Sequence, residues 1–157
     1  MFKKILVAID GSEYTRQVMP AAMEVARKFQ SEVFVLHVVE HDRGRAVTYE
    51  TESPAEATTL VAGSVKAFRD ADVAATGKVQ DVAVGNIAKT IVETAAELQS
   101  DLIVMGSRGL SDIQGLLLGS VTHKVIQLAP AMVLVARGPI PVKAEQPGRL
   151  VTATATA

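Results

Sequence analysis

The stretch DLIVMGSRGLSDIQGLLLGSVTHKVIQLAPAMVLVA, residues 101–136, contains a complete strand–helix–strand pattern. A short apolar run opens it, a glycine-rich connection and a helical pattern follow, and a second apolar run closes it. This order favours two parallel strands joined by a right-handed crossover. The connection holds glycines at positions 106, 109, 115 and 119. Such a cluster indicates that the backbone must come close to something.

Short β-rich runs alternate with longer helical patterns in the rest of the chain as well. Most of these runs are apolar nearly throughout, as expected when helices cover both faces of a sheet. The third run differs, because it alternates Val79, Val82 and Val84 with polar residues, and it is therefore expected at a sheet edge. The runs predict five strands, at residues 3–9, 32–39, 78–84, 101–106 and 131–136.

Four helical patterns lie between these runs. Ser53 and Glu56 form a capping-box pattern with proline at the first helical position. Asn86 is expected to cap the third helix, and Pro20 is expected to kink the first helix or end its first turn. Strands that alternate with helices form a parallel sheet covered on both faces, so the sequence predicts a three-layer α/β sandwich. The helices are predicted at residues 12–29, from the capping box to about 69, from 87 to 98 and from about 120 to 128.

Composition places the chain among globular proteins and excludes several classes of function. The 157 residues carry a net charge of −1, so no basic field attracts nucleic acid or anionic lipid. There is no cysteine, which excludes a disulfide framework and thiol catalysis. No apolar stretch reaches about 18 residues, so we expect no membrane insertion and a cytoplasmic location. We expect one domain at residues 1–138 and a flexible C-terminal tail at 139–157.

Asp10 follows the first predicted strand, where phosphate loops of open α/β sheets often lie. Neither GxxxxGK[ST] nor GxGxxG is present, and a carboxylate repels phosphate unless a metal ion intervenes. Asp10 is therefore a candidate to accept hydrogen bonds from a ribose or to coordinate a magnesium ion. The alternative is that it only caps the first helix, a role that Ser12 can also fill.

The glycine-rich connection offers a better anion site. Gly106 closes the fourth strand, and Gly119 with Ser120 opens the last helix. A helix start presents unpaired N–H groups and a partial positive charge, and the Ser120 hydroxyl adds a donor. Missing side chains at Gly106 and Gly109 would let the backbone approach a phosphate chain, and Arg108 would reach the terminal phosphate. A purely structural reason for these glycines remains the alternative.

The spacing Gly-x2-Gly-x9-Gly-Ser after the fourth strand resembles the ATP-binding motif of the universal stress protein family. Four segments are similar to that family's landmarks and follow in the same order, over residues 3–137: KKILVAIDGSEYT, VLHVVE, DLIVMGSRG and LLLGSVTHKVIQLAPAMVLVAR. The resemblance implies a Rossmann-like, adenine nucleotide α-hydrolase-like sheet of strand order 3-2-1-4-5. It also implies a homodimer through the fifth strand, residues 131–136, and a regulatory role in the stress response that an unidentified protein partner reads.

The resemblance further implies how a nucleotide would be held, with ATP expected and ADP or AMP as alternatives. Ala8 and Asp10 would line the adenosine pocket, and Val38 would contact adenine through its backbone. Mg²⁺ would reach Asp10 through the nucleotide. Besides Arg108, the residues that would hold ribose and phosphates are Met105, Gly106, Gly109, Gly119, Ser120 and Val121.

Two other functions remain open, a slow ATPase and an adaptor domain that keeps the fold without binding nucleotides. An ATPase needs a residue that orients water near the γ-phosphate. The sequence shows no pairing among the candidates, so no catalytic residue is assigned. His37, inside the second strand, is expected to be a hydrogen-bonded core histidine. His123 is expected on a solvated helix surface, with contact to a phosphate as the alternative. The candidates for orienting water are Asp10, Asp112, Gln114 and His123.

Overall fold

The structure is a computed structural model and describes residues 1–41, 52–108 and 118–137. These residues contain five strands and four helices. Every predicted strand and helix is present there. The third strand begins at Ala75 instead of residue 78, and the first helix begins at Thr15 instead of residue 12. The predicted tail at 139–157 lies outside the described residues. In chain order the elements are β1 (Lys4–Ile9), α1 (Thr15–Phe29), β2 (Glu32–His41), α2 (Pro54–Asp70), β3 (Ala75–Ala83), α3 (Ile87–Glu97), β4 (Leu102–Gly106), α4 (Ser120–Leu128) and β5 (Met132–Ala136).

The five strands are parallel and lie in the order β3-β2-β1-β4-β5. β1 is central, and its residue Ala8 pairs with Leu36 of β2 and with Met105 of β4. The predicted strand order is confirmed, and so is the edge position of β3. The chain runs outward from β1 to β3 and then crosses to β4, so the order reverses between β1 and β4. Open α/β sheets bind ligands at such a reversal, beyond the carboxyl ends of the strands.

Helices cover both faces of the sheet, which explains why the central strands β1 and β4 are apolar almost throughout. Ile5 and Val7 of β1 face α1 and α2, whereas Leu6 faces α3 and α4. All three side chains are buried, and burial of each contributes about 1.5–3 kcal/mol relative to an exposed position. Ala8 lies on the α3 and α4 face at the end of β1. No described helix combines the length and the apolar composition that crossing a bilayer requires.

The helix starts confirm one predicted cap and contradict another. The Glu56 amide donates to Ser53 Oγ at 3.2 Å and the Ser53 amide donates to Glu56 Oε2 at 2.8 Å, so the capping box is complete. The bond from the Ser53 amide is the main reason that the pKa of Glu56 is lowered. The prediction for Asn86 is wrong, because its Nδ2 donates back to the Ala83 carbonyl at 3.2 Å and makes no cap bond. Asn86 has φ −100° and ψ 0°, not the extended backbone of Ser53, and its side chain bonds to the end of β3 instead of to the helix.

α1 continues through Pro20 from Thr15 to Phe29, so the proline does not end the helix. Proline has no N–H, and Pro20 therefore removes the helical donor to the Arg16 carbonyl. Pro20 and Arg16 are both exposed. Water can take the place of the missing donor, which explains why the helix tolerates proline at this position.

Candidate functional site

A cleft of about 290 Å³ opens at the carboxyl ends of β1, β2 and β4. This volume is close to the lower limit for small-molecule sites. Ala8, Val38 and Met105 line the cleft from the three strands, and Ile87 and Ile91 line it from α3. These side chains make one part of the cleft apolar, as an aromatic ring system requires.

All the predicted nucleotide-binding residues that the structure describes line this one cleft. Gly109 lies outside the described residues. The fold therefore joins residues from three strand ends and from the start of α4 that are far apart in the sequence. That these residues bind a nucleotide remains a prediction. They are Ala8, Asp10, Val38, Met105, Gly106, Arg108, Gly119, Ser120 and Val121.

Asp10 organises the turn between β1 and α1. Its Oδ1 accepts hydrogen bonds from the Ser12 amide at 3.0 Å, from Ser12 Oγ at 2.6 Å and from Thr15 Oγ1 at 3.3 Å. Gly11 has a φ of +74°, a conformation that glycine adopts without strain and that turns the chain back towards the carboxylate. α1 has Tyr14 at its N-cap and no side-chain cap bond, so neither Asp10 nor Ser12 caps this helix. Ser12 is instead a donor to Asp10. These bonds hold the carboxylate in one orientation beside the cleft.

The first turn of α4 is held against the end of β4. The Gly119 amide donates to the Ser107 carbonyl oxygen at 2.8 Å, and the Thr122 hydroxyl donates to the Gly106 carbonyl oxygen at 2.9 Å. Gly119 occupies the N-cap position with an extended backbone and contributes no side-chain cap. The amides of Ser120 and Val121 have no acceptor within the helix, because they belong to its first turn. The positive end of the α4 dipole therefore lies at the cleft.

Gly106 is a glycine for a reason internal to the protein. A Cβ added there would lie 3.0 Å from the Arg108 carbonyl oxygen and 3.1 Å from Tyr14 Cβ. Both distances are shorter than an ordinary van der Waals contact, so a side chain would displace its surroundings. The structural alternative for this glycine is therefore supported, and the approach of a phosphate is not needed to explain it.

Comparison with known proteins identifies the family. Residues 1–137 match the model of the universal stress protein family. The chain belongs to this family. Universal stress protein YxiE of Bacillus subtilis (strain 168) is 36% identical to it over 153 residues, which cover 87% of this chain and 100% of YxiE.

Solved structures of universal stress proteins and of a similar chain share the fold. Hypothetical protein MJ0577 has a TM-score of 0.73 and 25% identity, over 89% of this chain and 99% of that chain. The universal stress protein from Archaeoglobus fulgidus, in complex with dAMP, has a TM-score of 0.63 and 25% identity, over 86% of this chain and 98% of that chain. The fold class predicted from the sequence is thus confirmed.

The cleft of this universal stress protein also contains a buried histidine. His37 is 2% exposed, its Nδ1 lies 2.9 Å from the Ile9 carbonyl oxygen, and its Nε2 lies 2.5 Å from Glu52 Oε2. A carbonyl oxygen only accepts, so Nδ1 carries a proton and donates to Ile9. The predicted hydrogen-bonded core histidine is confirmed. Its place in the cleft and its partner Glu52 were not predicted.

Other lining residues were missed because the sequence carries only weak signals for them. Ile87 and Ile91 belong to the apolar stripe of α3, but only the strand order shows that this stripe reaches the cleft. Thr122 lies two positions after the end of the glycine motif, and the motif assigns no role to a residue at that position. The missed residues with polar groups are Tyr14, Thr15, His37, Glu40, Glu52 and Thr122.

Of the four residues predicted as candidates for orienting a water molecule, the two that the structure describes do not lie together in the cleft. Asp10 lines the cleft. His123 is exposed on α4 and does not line it, as expected for a helix surface. Asp112 and Gln114 lie outside the described residues. Of these four residues, only Asp10 is therefore found in the described part of the site.

The protein alone offers few ligands for a metal ion. Within residues 1–41, 52–108 and 118–137, no three histidine, aspartate or glutamate side chains are grouped so that they could hold one. Mg²⁺ commonly binds through one or two carboxylates together with substrate phosphates and water. Asp10 fits the role of such a carboxylate, provided that a nucleotide supplies the other oxygens.

Proposed function

We propose that this universal stress protein binds an adenine nucleotide, ATP with Mg²⁺, in the cleft at the ends of β1, β2 and β4. One observation carries the proposal: an apolar surface and a helix N-terminus without a side-chain cap meet at one cavity. Ala8, Val38 and Met105 provide the apolar surface, which suits a base. Ser120 and Val121 provide first-turn amides, which suit an anion.

A relative supports the choice of an adenine nucleotide. The Archaeoglobus fulgidus universal stress protein, 25% identical to this chain, was solved in complex with dAMP. dAMP shares adenine and an α-phosphate with ATP. The triphosphate is favoured here because the cationic residue Arg108 lines the cleft together with the start of α4. ADP and AMP are the alternatives that a binding measurement separates.

We propose that the active form is a homodimer in which β5 of one copy pairs with β5 of the other. β5 lies within residues 131–136, the segment that the sequence predicts for this contact. β5 is an edge strand, and Met132 and Leu134 on it are 58% and 37% exposed. Ile126 and Leu128 of the preceding helix are exposed as well. Apolar edge strands pair readily with other strands, and a second copy supplies an identical edge. Bound nucleotide would then alter a surface that an unidentified stress-response partner recognises. The cytoplasmic location remains a prediction.

Slow ATP hydrolysis and a nucleotide-independent adaptor are the remaining alternatives. Hydrolysis needs a group that orients water, and Asp10 Oδ1 already accepts three hydrogen bonds from its own turn. The complete glycine spacing and the cleft beside it speak against an adaptor that has lost nucleotide binding.

Release of bound nucleotide tests the proposal. The purified protein is denatured with acid, and the supernatant is analysed by absorbance and chromatography. We expect ATP, or its products ADP or AMP, in a ratio approaching one nucleotide per chain. Protein purified without nucleotide is titrated with Mg-ATP, ADP and AMP by calorimetry. Absence of released adenine nucleotide together with absence of binding in all three titrations would refute the proposal.

A further inference from the structure

Thr122 joins the start of α4 to the end of β4. It is the third residue of α4 and is 2% exposed. Threonine hydroxyls in helices commonly bond to backbone groups of their own turn. The Thr122 hydroxyl instead donates to the Gly106 carbonyl oxygen, 16 residues earlier in the chain, at 2.9 Å. This side chain therefore connects two elements instead of capping one.

A second bond acts beside it. The Gly119 amide donates to the carbonyl oxygen of Ser107, the residue after Gly106, at 2.8 Å. Two donors from the first turn of α4 thus bind two consecutive carbonyls at the end of β4. The amides of Ser120 and Val121 lie between these two attachment points in the sequence, and both residues line the cleft.

We propose that Thr122 is a positioning residue for the phosphate part of the ligand, an inference that rests on the proposed nucleotide site. Its hydroxyl sets the separation and direction of the α4 N-terminus relative to β4. The Ser120 and Val121 amides are thereby aligned with phosphate oxygens before the nucleotide arrives. A site whose groups are held in place in advance binds more tightly than one that must become ordered on binding.

This role makes a prediction that a purely structural role does not make. The helix N-terminus interacts with phosphates, whereas the base lies against Ala8, Val38 and Met105. Loss of the Thr122 hydroxyl should therefore weaken ATP binding and leave adenosine binding unchanged. A general loosening of the cleft would weaken both ligands.

The experiment compares Thr122→Val, which keeps the shape of the side chain and removes the hydroxyl, with Thr122→Ser, which keeps the hydroxyl. Thr94→Val is the matched control, because Thr94 is a buried threonine on α3 that does not line the cleft. The dissociation constants of Mg-ATP and of adenosine are measured by calorimetry for each protein. For Thr122→Val we expect roughly tenfold weaker ATP binding, the scale of a misaligned helix terminus, with adenosine affinity within about twofold of wild type. Thr122→Ser and Thr94→Val should retain the ATP affinity.

Several results would overturn the positioning role. Unchanged ATP affinity in Thr122→Val would do so, as would an equal loss for ATP and adenosine. If Thr122→Val does not fold, Thr122→Ala replaces it, and failure of both to fold would assign Thr122 to folding instead of ligand positioning. Wild-type protein that binds neither ligand would refute the nucleotide site itself, a result distinct from any difference between variants.

Discussion

His37 and Ile9 are joined by a hydrogen bond of 2.9 Å from the imidazole Nδ1 to the carbonyl oxygen. The bond links the interior of β2 to the last residue of β1, directly before Asp10, and all three residues line the cleft. On its other side the imidazole contacts Glu52, which directly precedes the Ser53 cap of α2. A single buried ring on β2 thus connects the end of β1 with the residue that precedes the cap of α2.

Replacement of His37 with phenylalanine should destabilise the protein by about 2–3 kcal/mol, because the Ile9 carbonyl and the Glu52 carboxylate both lose a buried partner. Urea unfolding followed by circular dichroism measures the change. His123→Phe is the control, since His123 is exposed on α4, and it should change stability by no more than about 0.5 kcal/mol. Equal effects of the two substitutions would show that the His37 bonds contribute nothing to stability.

Two glycine-to-alanine substitutions should have opposite signs. A Cβ at Gly77 would lie 2.7 Å from the Val35 carbonyl oxygen and 2.9 Å from Val61 Cγ1, whereas a Cβ at Gly63 would meet no atom within 4 Å. Gly77→Ala should therefore cost about 1–3 kcal/mol through overpacking between β3 and α2. Gly63→Ala, in the interior of α2, should add about 0.5–1 kcal/mol through helix propensity. Urea midpoints measure both changes, and stabilisation by Gly77→Ala would contradict the packing described for this strand.

Asp101 should make the free energy of unfolding of the protein depend on pH. Its Oδ2 accepts the Lys4 amide at 2.9 Å and the Lys3 amide at 2.7 Å. These two bonds, with that of Lys4 first, lower the pKa of Asp101. Because the pKa of Asp101 is lower in the folded protein, its charge stabilises the fold fully at any pH above the pKa of aspartate in the unfolded chain, about 3.9. This stabilisation is lost as the pH falls through the pKa of Asp101 in the folded protein.

Asp101→Asn tests this dependence, because asparagine keeps the shape and removes the charge. We expect the melting temperature of the variant to be lower than that of the wild type at pH 7. The difference in melting temperature should become smaller as the pH falls below about 4. Calorimetric melting temperatures across that range measure the difference. A difference of constant size at every pH would mean that ionisation of Asp101 does not stabilise the fold.

The proposed homodimer can be tested at its edge strand. Leu134→Glu places a charge on the exposed apolar face of β5 and should convert the dimer to a monomer. Val84→Glu, the control, places the same charge at an exposed valine outside β5 and should leave the mass unchanged. Light scattering coupled to size-exclusion chromatography distinguishes these outcomes. A wild-type protein that is monomeric, or a Leu134→Glu variant that remains dimeric, would exclude β5 as the interface.

Sequence patterns predicted most of the fold because local rules and packing agree in this chain. Apolar runs such as residues 101–106 are recognisable when both faces of a strand are buried, and the capping box at Ser53 is a local signal that the structure preserves. Asn86 was predicted wrongly because residue type alone does not reveal its backbone angles. An asparagine caps a helix only if its backbone is suitably extended.

The candidate site was predictable only in part. Asp10 and the glycine motif carry recognisable chemistry, whereas Ala8 and Val38 are ordinary strand residues that only the family resemblance identified. The His37–Glu52 and Thr122–Gly106 contacts join residues that are distant in sequence, and no spacing rule relates them. The packing of Gly106 against Tyr14 likewise depends on how α1 lies over β4.

A charge placed at the start of α4 separates ligand binding from fold stability. Ser120→Glu puts a carboxylate at the first helical position, where it complements the helix dipole and should not destabilise the fold. The same carboxylate occupies the region proposed for phosphate and repels it. Ala55→Glu is the matched control, because it adds the same charge to the first turn of α2 at a residue that does not line the cleft.

The measurement is the shift in unfolding free energy of nucleotide-free protein on addition of Mg-ATP. Wild type and Ala55→Glu should each gain about 2.7 kcal/mol when ATP is present at 100 times its dissociation constant, and Ser120→Glu should gain far less at the same ATP concentration. A wild-type protein that ATP does not stabilise, or a Ser120→Glu variant that ATP stabilises as strongly as wild type, would contradict a phosphate site at the α4 N-terminus.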